Sequence, residues 1–260
     1  MRYTVSDPIG AVVTDLAVTD LDAGTVEQLR ELLATHGVLA LPAQAIDDAA
    51  FVAFLKRFGE LTFTTGETAV EGQPDLNVVS NIGRATPPRS TFHVDTTYIR
   101  HPPIYTALRA VSIPEQGGET LFTNQYRAYE TLAQDLRDAL HGRTMTHVVT
   151  GLELGEDDEK AAEHPVFQRH PTSGRTALYM STPSRCVAIS NMPDEEARRT
   201  VADLFAHSTR EENIHRHAWS PDDILVWDNR CVMHRADHSG VVGDRVMHRG
   251  MVAGDEAAAA

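Results

Sequence analysis

Asp223-Ile224-Leu225-Val226-Trp227-Asp228-Asn229 places four consecutive apolar side chains between acidic and amide residues. A short β-branched and aromatic run with turn formers at both ends reads as a buried strand that stops in a turn. Segments of the same kind recur on either side of it. They cover residues 10–20, 38–42, 105–112, 119–123, 144–152, 177–180 and 245–253, each short and bounded by Gly, Pro, Asn or Asp. Many short strands with turn punctuation predict a double-sheet β architecture. Helical spacing marks four other segments. Residues 25–36 repeat Val26, Leu29, Leu32 and Leu33, and residues 47–58 repeat Phe51, Phe54, Leu55 and Phe58. Helices are also expected over 126–142 and 194–207, the latter opening on Asp194-Glu195-Glu196, where negative charge suits the helix dipole. The expectation is a mainly β fold with flanking helices, forming one domain over residues 1–260. There is no internal repeat, and residues 255–260 read as a frayed end.

Just past the quoted strand lies His234, and eleven residues further on comes Arg245. Arg245 opens Arg-Val-Met-His-Arg-Gly-Met-Val, whose alternation puts Arg245, Met247 and Arg249 on one face and Val246 and His248 on the other. An arginine facing a pocket is costly unless it meets an anion, and its planar fork suits a carboxylate, so a bound organic acid is the natural partner. The competing reading is an exposed edge strand whose arginines face water. His238 and Arg249 repeat the same offset as His234 and Arg245. The flanking Trp227-Asp228-Asn229-Arg230 favours the first pair.

The third element is Thr91-Phe92-His93-Val94-Asp95-Thr96-Thr97-Tyr98. In an extended segment residues i and i+2 point to one side, so His93 and Asp95 can offer an imidazole and a carboxylate to one metal ion. A distant histidine would complete two histidines and a carboxylate on one face of an octahedron, the arrangement diagnostic of non-heme Fe(II) oxygenases. The triplet alone carries little weight. With 13 histidines and 37 acidic residues in 260 positions, roughly two His-x-Asp/Glu matches are expected by chance. Its context gives it meaning, between a Gly- and Pro-rich loop at 71–90 and the apolar run 104–111. The competing reading is a strand-edge histidine beside a solvated aspartate.

Together these residues make the chain resemble the TauD/TfdA group of Fe(II)- and 2-oxoglutarate-dependent dioxygenases. The resemblance rests on Phe92-His93-Val94-Asp95-Thr96-Thr97-Tyr98, Gly117-Gly118-Glu119-Thr120-Leu121-Phe122-Thr123, Trp227-Asp228-Asn229-Arg230, His234 and the 245–249 segment. It extends to Phe58-Gly59-Glu60-Leu61 and to the His-Pro-x-x-Gln-x-His-Pro-x-x-Gly run from His164 to Gly174. It implies a double-stranded β-helix, a distorted cupin-like jelly roll. It implies His93, Asp95 and His234 as iron ligands, and Thr120 and Arg245 as holders of the distal carboxylate of 2-oxoglutarate. Arg249 matches a position that often faces an acidic group of the primary substrate. The implied reaction consumes 2-oxoglutarate and O2, releases succinate and CO2, and oxidises an aliphatic C–H bond. Hydroxylation is the expected outcome, with desaturation or C–heteroatom cleavage open to the same chemistry.

Two departures narrow the substrate. Taurine enzymes of the group carry a histidine and a tyrosine after Phe-Gly-x-Leu, whereas Thr62-Phe63-Thr64-Thr65-Gly66 stands here, which disfavours taurine. The carboxylate of Asp95 disfavours halogenation, because halogenases of the wider group carry a small residue there. A small acidic or amino-acid-like substrate is expected. Arg84, Arg89 and Arg100 flank the metal motif on segments that suit a lid, although each reads more readily as a surface arginine. Asn81 and Thr97 are weaker pocket candidates.

A net charge of −14 and a pI near 5.3 repel phosphate backbones and anionic membranes, and no local basic patch offsets them. The N-terminus lacks the apolar core of a secretion signal, and no run is long enough to span a bilayer, so the expected location is cytoplasmic. Cys186 and Cys231 are then expected as free thiols without a catalytic role. Two rival classes remain: another metal-dependent enzyme on a β-barrel scaffold, such as a zinc hydrolase or isomerase, and a non-catalytic ligand-binding module. Oxygen uptake separates the first from an oxygenase, and metal content separates the second. Oligomeric state stays open, a homo-oligomer included.

Overall fold

The computed structural model describes residues 1–83 and 90–254. Arg84, Arg89 and the terminal run 255–260 lie outside the described residues. The architecture is mainly β with few helices, and the sheets do not close into a barrel.

The largest sheet explains the quoted strand. Its order is Arg2–Val5, Ala11–Thr14, Val38–Leu41, Ile224–Asp228, Tyr105–Ser112, Val246–Val252, Gln73–Ser80 and Ala69–Val70, with Leu61–Thr62 also pairing to Val246–Val252. Ile224–Asp228 therefore sits between two neighbours, antiparallel to both. It is covered on both faces, which is why it reads as an unbroken apolar run rather than an alternating one. Ile224 and Val226 turn to one core with Leu39, Leu41 and Ala107. Leu225 and Trp227 turn to another with Val38, Ala40, Leu108 and Met247.

The first face is covered by helices Ala23–His36 and Asp48–Lys56, which bury Val26, Leu29, Leu33, Phe51, Phe54 and Leu55 as their spacing predicts. Asp22 and Asp47 cap them by accepting from Thr25 N at 2.7 Å and Ala50 N at 2.8 Å, meeting otherwise orphaned donors. The second face looks toward a three-stranded sheet ordered Ile214–His217, Thr120–Asn124, Val232–Ala236. Phe122 and Val232 from that sheet join Trp227 and Leu108 in the core between the layers. The candidate site opens at the end of this sandwich.

One expectation needs correction. The helix expected over 126–142 is two helices, Gln125–Glu130 and Gln134–Leu140. Leu132 is buried between them and Ala133 is extended, so the chain turns to bury one leucine instead of continuing helical. His234, just past the quoted strand, lies on a strand of its own, Val232–Ala236, in the opposing sheet. The competing reading of the 245–249 segment as an edge strand is set aside, since Val246–Val252 is hydrogen-bonded on both sides.

Candidate active site

Phe92 and Val94 pack into a buried apolar cluster, so the residues between and after them, His93 and Asp95, turn the other way. The segment is less regular than a strand. His93 forms an isolated antiparallel bridge with His234, the amide of each donating to the carbonyl of the other at 3.0 and 2.9 Å. The chain then turns, with Thr96 in the left-handed region at φ 52°. The bridge fixes two histidines distant in sequence directly opposite each other, their ring centroids 4.4 Å apart. Nε2 of His93 lies 3.7 Å from Oδ1 of Asp95, and Nε2 of His234 lies 3.7 Å from Oδ2. All three side chains offer donor atoms within 4.8 Å of one another, and no other such group exists among the described residues.

The protonation states suit a cation. Nδ1–H of His93 donates to the Thr91 carbonyl at 2.8 Å, leaving the Nε2 lone pair toward Asp95. Burial pushes His234 down to about 3, so its imidazole is neutral at physiological pH. Burial alone would raise Asp95, but the adjoining His234 imidazole and the Arg249 guanidinium outweigh it and hold the carboxyl well below its usual range.

Behind Asp95 runs a buried relay that the strand residues supply. Thr106 Oγ1 donates to Asp95 Oδ2 at 2.8 Å, Asn229 Nδ2 donates to Thr106 Oγ1 at 2.8 Å, and Trp227 Nε1 donates to Asn229 Oδ1 at 3.1 Å. The Trp-Asp-Asn-Arg motif thus orients the acid from a distance. Its aspartate serves another purpose. Asp228 is gripped by Arg230 and accepts from Nε2–H of His170 at 3.0 Å, while His170 Nδ1 accepts from the amides of Thr172 and Ser173. His164 Nε2–H donates to the Thr97 carbonyl at 2.8 Å, the only role open to a ring nitrogen facing a carbonyl. Both histidines of the His-Pro run therefore clamp loops around the site and do not enter it.

A cavity of ≈ 370 Å³ opens over the cluster, lined by His93, His234, Thr120, Trp227, Arg245, Arg249 and Glu67 among others. Arg245 is 1% exposed, and no carboxylate pairs with it among the described residues. Its Nε donates to the Gly118 carbonyl at 2.9 Å and its Nη2 to Thr120 Oγ1 at 3.2 Å. Burial lowers Arg245 to about 10, which leaves it charged at neutral pH. A buried guanidinium held only by neutral oxygens lacks a counter-ion, and it faces the cavity from which one would come. Gly118 allows this packing: its φ is +79°, and a Cβ there would lie 2.8 Å from Pro114 Cγ and 3.1 Å from Arg245 Cδ.

A family model described as "Taurine catabolism dioxygenase TauD, TfdA family" matches residues 2–251. The chain belongs to the TauD/TfdA family. Among curated relatives, pentalenolactone F synthase of Streptomyces arenae is 31% identical over 93% of this chain and 91% of its own. The alpha-ketoglutarate-dependent 2,4-dichlorophenoxyacetate dioxygenase of Cupriavidus pinatubonensis is 27% identical over 88% of each. A solved taurine dioxygenase from Burkholderia xenovorans superposes with a TM-score of 0.86 at 31% identity, covering 98% of this chain and 91% of that one.

This TauD/TfdA protein is accordingly a 2-oxoglutarate-dependent dioxygenase, in a family that uses Fe(II), 2-oxoglutarate and O2. Its residues fit those groups. The His-Asp-His cluster offers the nitrogen and oxygen donors of a facial triad, and the unpaired Arg245 offers the charge that a dicarboxylate needs. The relatives' names span 2,4-dichlorophenoxyacetate, pentalenolactone F and taurine, so the family does not fix the substrate.

Other residues singled out in the sequence take definite places. Arg249 faces the cavity as the alternation predicts, but its fork is already engaged: Nε donates to Asn77 Oδ1 at 3.0 Å, Nη1 to Asp95 Oδ1 at 3.2 Å, and Nη2 to Glu67. Arg100 is a surface residue paired with Glu159. Asn81 donates to the Gly243 carbonyl and accepts from the amide of Arg245, and Thr97 is fully buried; neither lines the cavity. His238, the runner-up histidine, lines it without joining the metal cluster. Cys186 and Cys231 are free and buried, and burial pushes the Cys186 thiol up to about 12, so neither is a nucleophile. Sequence reasoning missed Thr106 and Glu67. Thr106 lies inside an ordinary strand pattern, and Glu67 sits in a loop with no motif of its own. Among the described residues no helix is long and apolar enough to cross a membrane.

Proposed function

We propose that residues 1–260 form one dioxygenase domain that hydroxylates an aliphatic C–H bond of a small acidic or amino-acid-like molecule, with succinate and CO2 as co-products. In this reading His93, Asp95 and His234 hold Fe(II), Thr120 and Arg245 hold the distal carboxylate of 2-oxoglutarate, and Arg249 faces the acidic end of the substrate. The observation that carries it is Arg245, a buried cation without a carboxylate, sharing one cavity with the His-Asp-His cluster. Fe(II) with 2-oxoglutarate supplies the O2 activation and oxidising power that no side chain of the protein has.

The protein's own share follows from its geometry. The Thr91 carbonyl holds His93 in the tautomer with Nε2 free, and the Thr106 hydroxyl takes one lone pair of Asp95 and fixes the plane of the carboxylate. Arg245 and Thr120 place a dicarboxylate so that its other end reaches the cluster, an orientation the cavity walls of Leu108 and Trp227 protect from water. The cavity must hold two molecules, the co-substrate and the primary substrate, which keeps the latter small. The negative surplus of the chain, −14, opposes nucleic acid as a partner.

The test is an anaerobic titration of purified protein with Fe(II) and then 2-oxoglutarate, followed by visible spectroscopy for the charge-transfer band of a chelated keto acid. A band that disappears in Arg245→Gln supports the assignment of both sites. Bound metal with no band in the wild type would sink it.

A further inference from the structure

Arg249 is the residue expected to meet an acidic substrate, yet a carboxylate of the protein already sits on it. Glu67, from the loop that follows Leu61–Thr62, engages Nη2, and Asp95 engages Nη1. Both ion pairs are largely shielded, with Arg249 11% and Glu67 26% exposed at the side chain. Glu67 and Arg249 both line the cavity that holds the His-Asp-His cluster. Asn77 takes Nε, so three of the guanidinium's five N–H groups are spoken for and two remain. Among the described residues Oε1 of Glu67 has no hydrogen-bond partner.

Charge decides what such a pair can accept. The acidic side chains at the site, Glu67 and Asp95, match Arg245 and Arg249 one for one, and the two positive charges of Fe(II) match the two negative charges of 2-oxoglutarate. The loaded site is neutral before the primary substrate arrives. A simple acid would add an unmatched negative charge beside Glu67 in a shielded cavity, where an uncompensated ion is expensive. A molecule with an acid group and an ammonium group brings its own compensation. Its acid group finds the two unused N–H groups of Arg249, and its ammonium finds Oε1 of Glu67, without breaking the existing pair.

Resting on the function proposed above, we propose that the Arg249–Glu67 pair reads a zwitterion: the primary substrate is an amino-acid-type molecule, with Glu67 as the residue that selects for its ammonium group. The sequence left acidic and amino-acid-like substrates side by side, and Glu67 separates them. Ordinary acids are excluded by repulsion from Glu67, which is discrimination against a competitor as much as attraction for the partner.

The experiment uses the full-length protein loaded anaerobically with Fe(II) and 2-oxoglutarate. The twenty L-amino acids are added one by one, each aliphatic member matched by its des-amino acid, for instance L-leucine against 4-methylpentanoate. The readouts are the shift of the visible band and, after admission of O2, succinate formed per substrate added. At least one amino acid should shift the band at a concentration at least about tenfold below its des-amino partner, since a polar site rejects an analogue that leaves its group unpaired. Glu67→Gln should weaken that amino acid by about tenfold and narrow the gap to the des-amino acid, and Glu67→Asp should restore part of it. Equal or tighter binding of the des-amino acid, an unchanged preference in Glu67→Gln, or a panel in which no amino acid shifts the band would each overturn the proposal. Failure of the band to form before any substrate is added would instead count against the iron and 2-oxoglutarate sites.

Discussion

At the scale of the residue, the decisive chemistry sits in side chains that sequence pattern alone weighs lightly. Thr106 is one threonine in an eight-residue strand, yet it is the donor that orients Asp95 and the acceptor that satisfies Asn229. Thr106→Val keeps the shape and removes both bonds. It should weaken Fe(II) binding by about tenfold or more, the usual cost of losing a hydrogen-bond partner behind a metal ligand, whereas Thr106→Ser should recover most of it. An anaerobic metal titration reads both variants, and equal affinity in Thr106→Val and wild type would refute the role. Arg245 makes a sharper case. Its guanidinium has no carboxylate among the described residues, so Arg245→Gln should raise the Kd for 2-oxoglutarate by at least about 30-fold, the lower range for truncating a buried charged pair. Fe(II) binding without 2-oxoglutarate should change little. A variant with intact 2-oxoglutarate affinity would mean that the dicarboxylate binds elsewhere.

At the scale of the element, the fold shows what periodicity can and cannot convey. The strands Tyr105–Ser112 and Ile224–Asp228 and the helices Ala23–His36 and Asp48–Lys56 were legible because a single buried face or a doubly buried run writes itself into the order of apolar residues. The two motif histidines were legible as well, but not the device that unites them. The His93–His234 bridge is a long-range backbone pairing, and nothing local to either residue encodes its partner. The division of the 126–142 helix was hidden for a related reason, because the burial of Leu132 is decided by distant elements. Glycines carry similar long-range information. At Gly250 an added Cβ would lie 2.2 Å from Leu55 Cδ1, where the helix Asp48–Lys56 packs against the strand Val246–Val252. Gly250→Ala should therefore cost about 1–3 kcal/mol of stability by overpacking, read by chemical denaturation. Gly118→Ala acts on the site instead, forcing a side chain into a φ of +79° and against Arg245 Cδ. Its expected signature is a weakened 2-oxoglutarate affinity together with about 1–3 kcal/mol of lost stability.

At the scale of the whole molecule, buried histidines tie stability to pH. Burial first, with the nearby charges of His164 and Arg185, pushes His147 down to about 3, and its Nε2 has no hydrogen-bond partner among the described residues. His164 and His215 are shifted down by burial too. A histidine whose folded pKa lies below its unfolded value near 6.5 takes up protons in the unfolded chain first. Its contribution is therefore complete above the unfolded value and is lost progressively as pH falls from there toward the folded value. For His147 the loss from pH 7 to pH 5 is about 2 kcal/mol, at roughly 1.4 kcal/mol per pH unit below 6.5. Asp228 extends the decline at lower pH. Burial would raise it, but Arg230 and His170 outweigh burial and hold it at about 2, so its stabilising effect is present above its unfolded value of 3.8 and lost as pH falls through about 2. Denaturant unfolding of the metal-free protein should show stability falling between pH 7 and pH 5. In His147→Leu, which fills the same apolar surroundings without a proton to gain, the difference between those two pH values should shrink by about 2 kcal/mol. An unchanged pH dependence in that variant would mean that His147 binds its proton equally well in the folded and unfolded chains, and that the acid sensitivity resides in other groups.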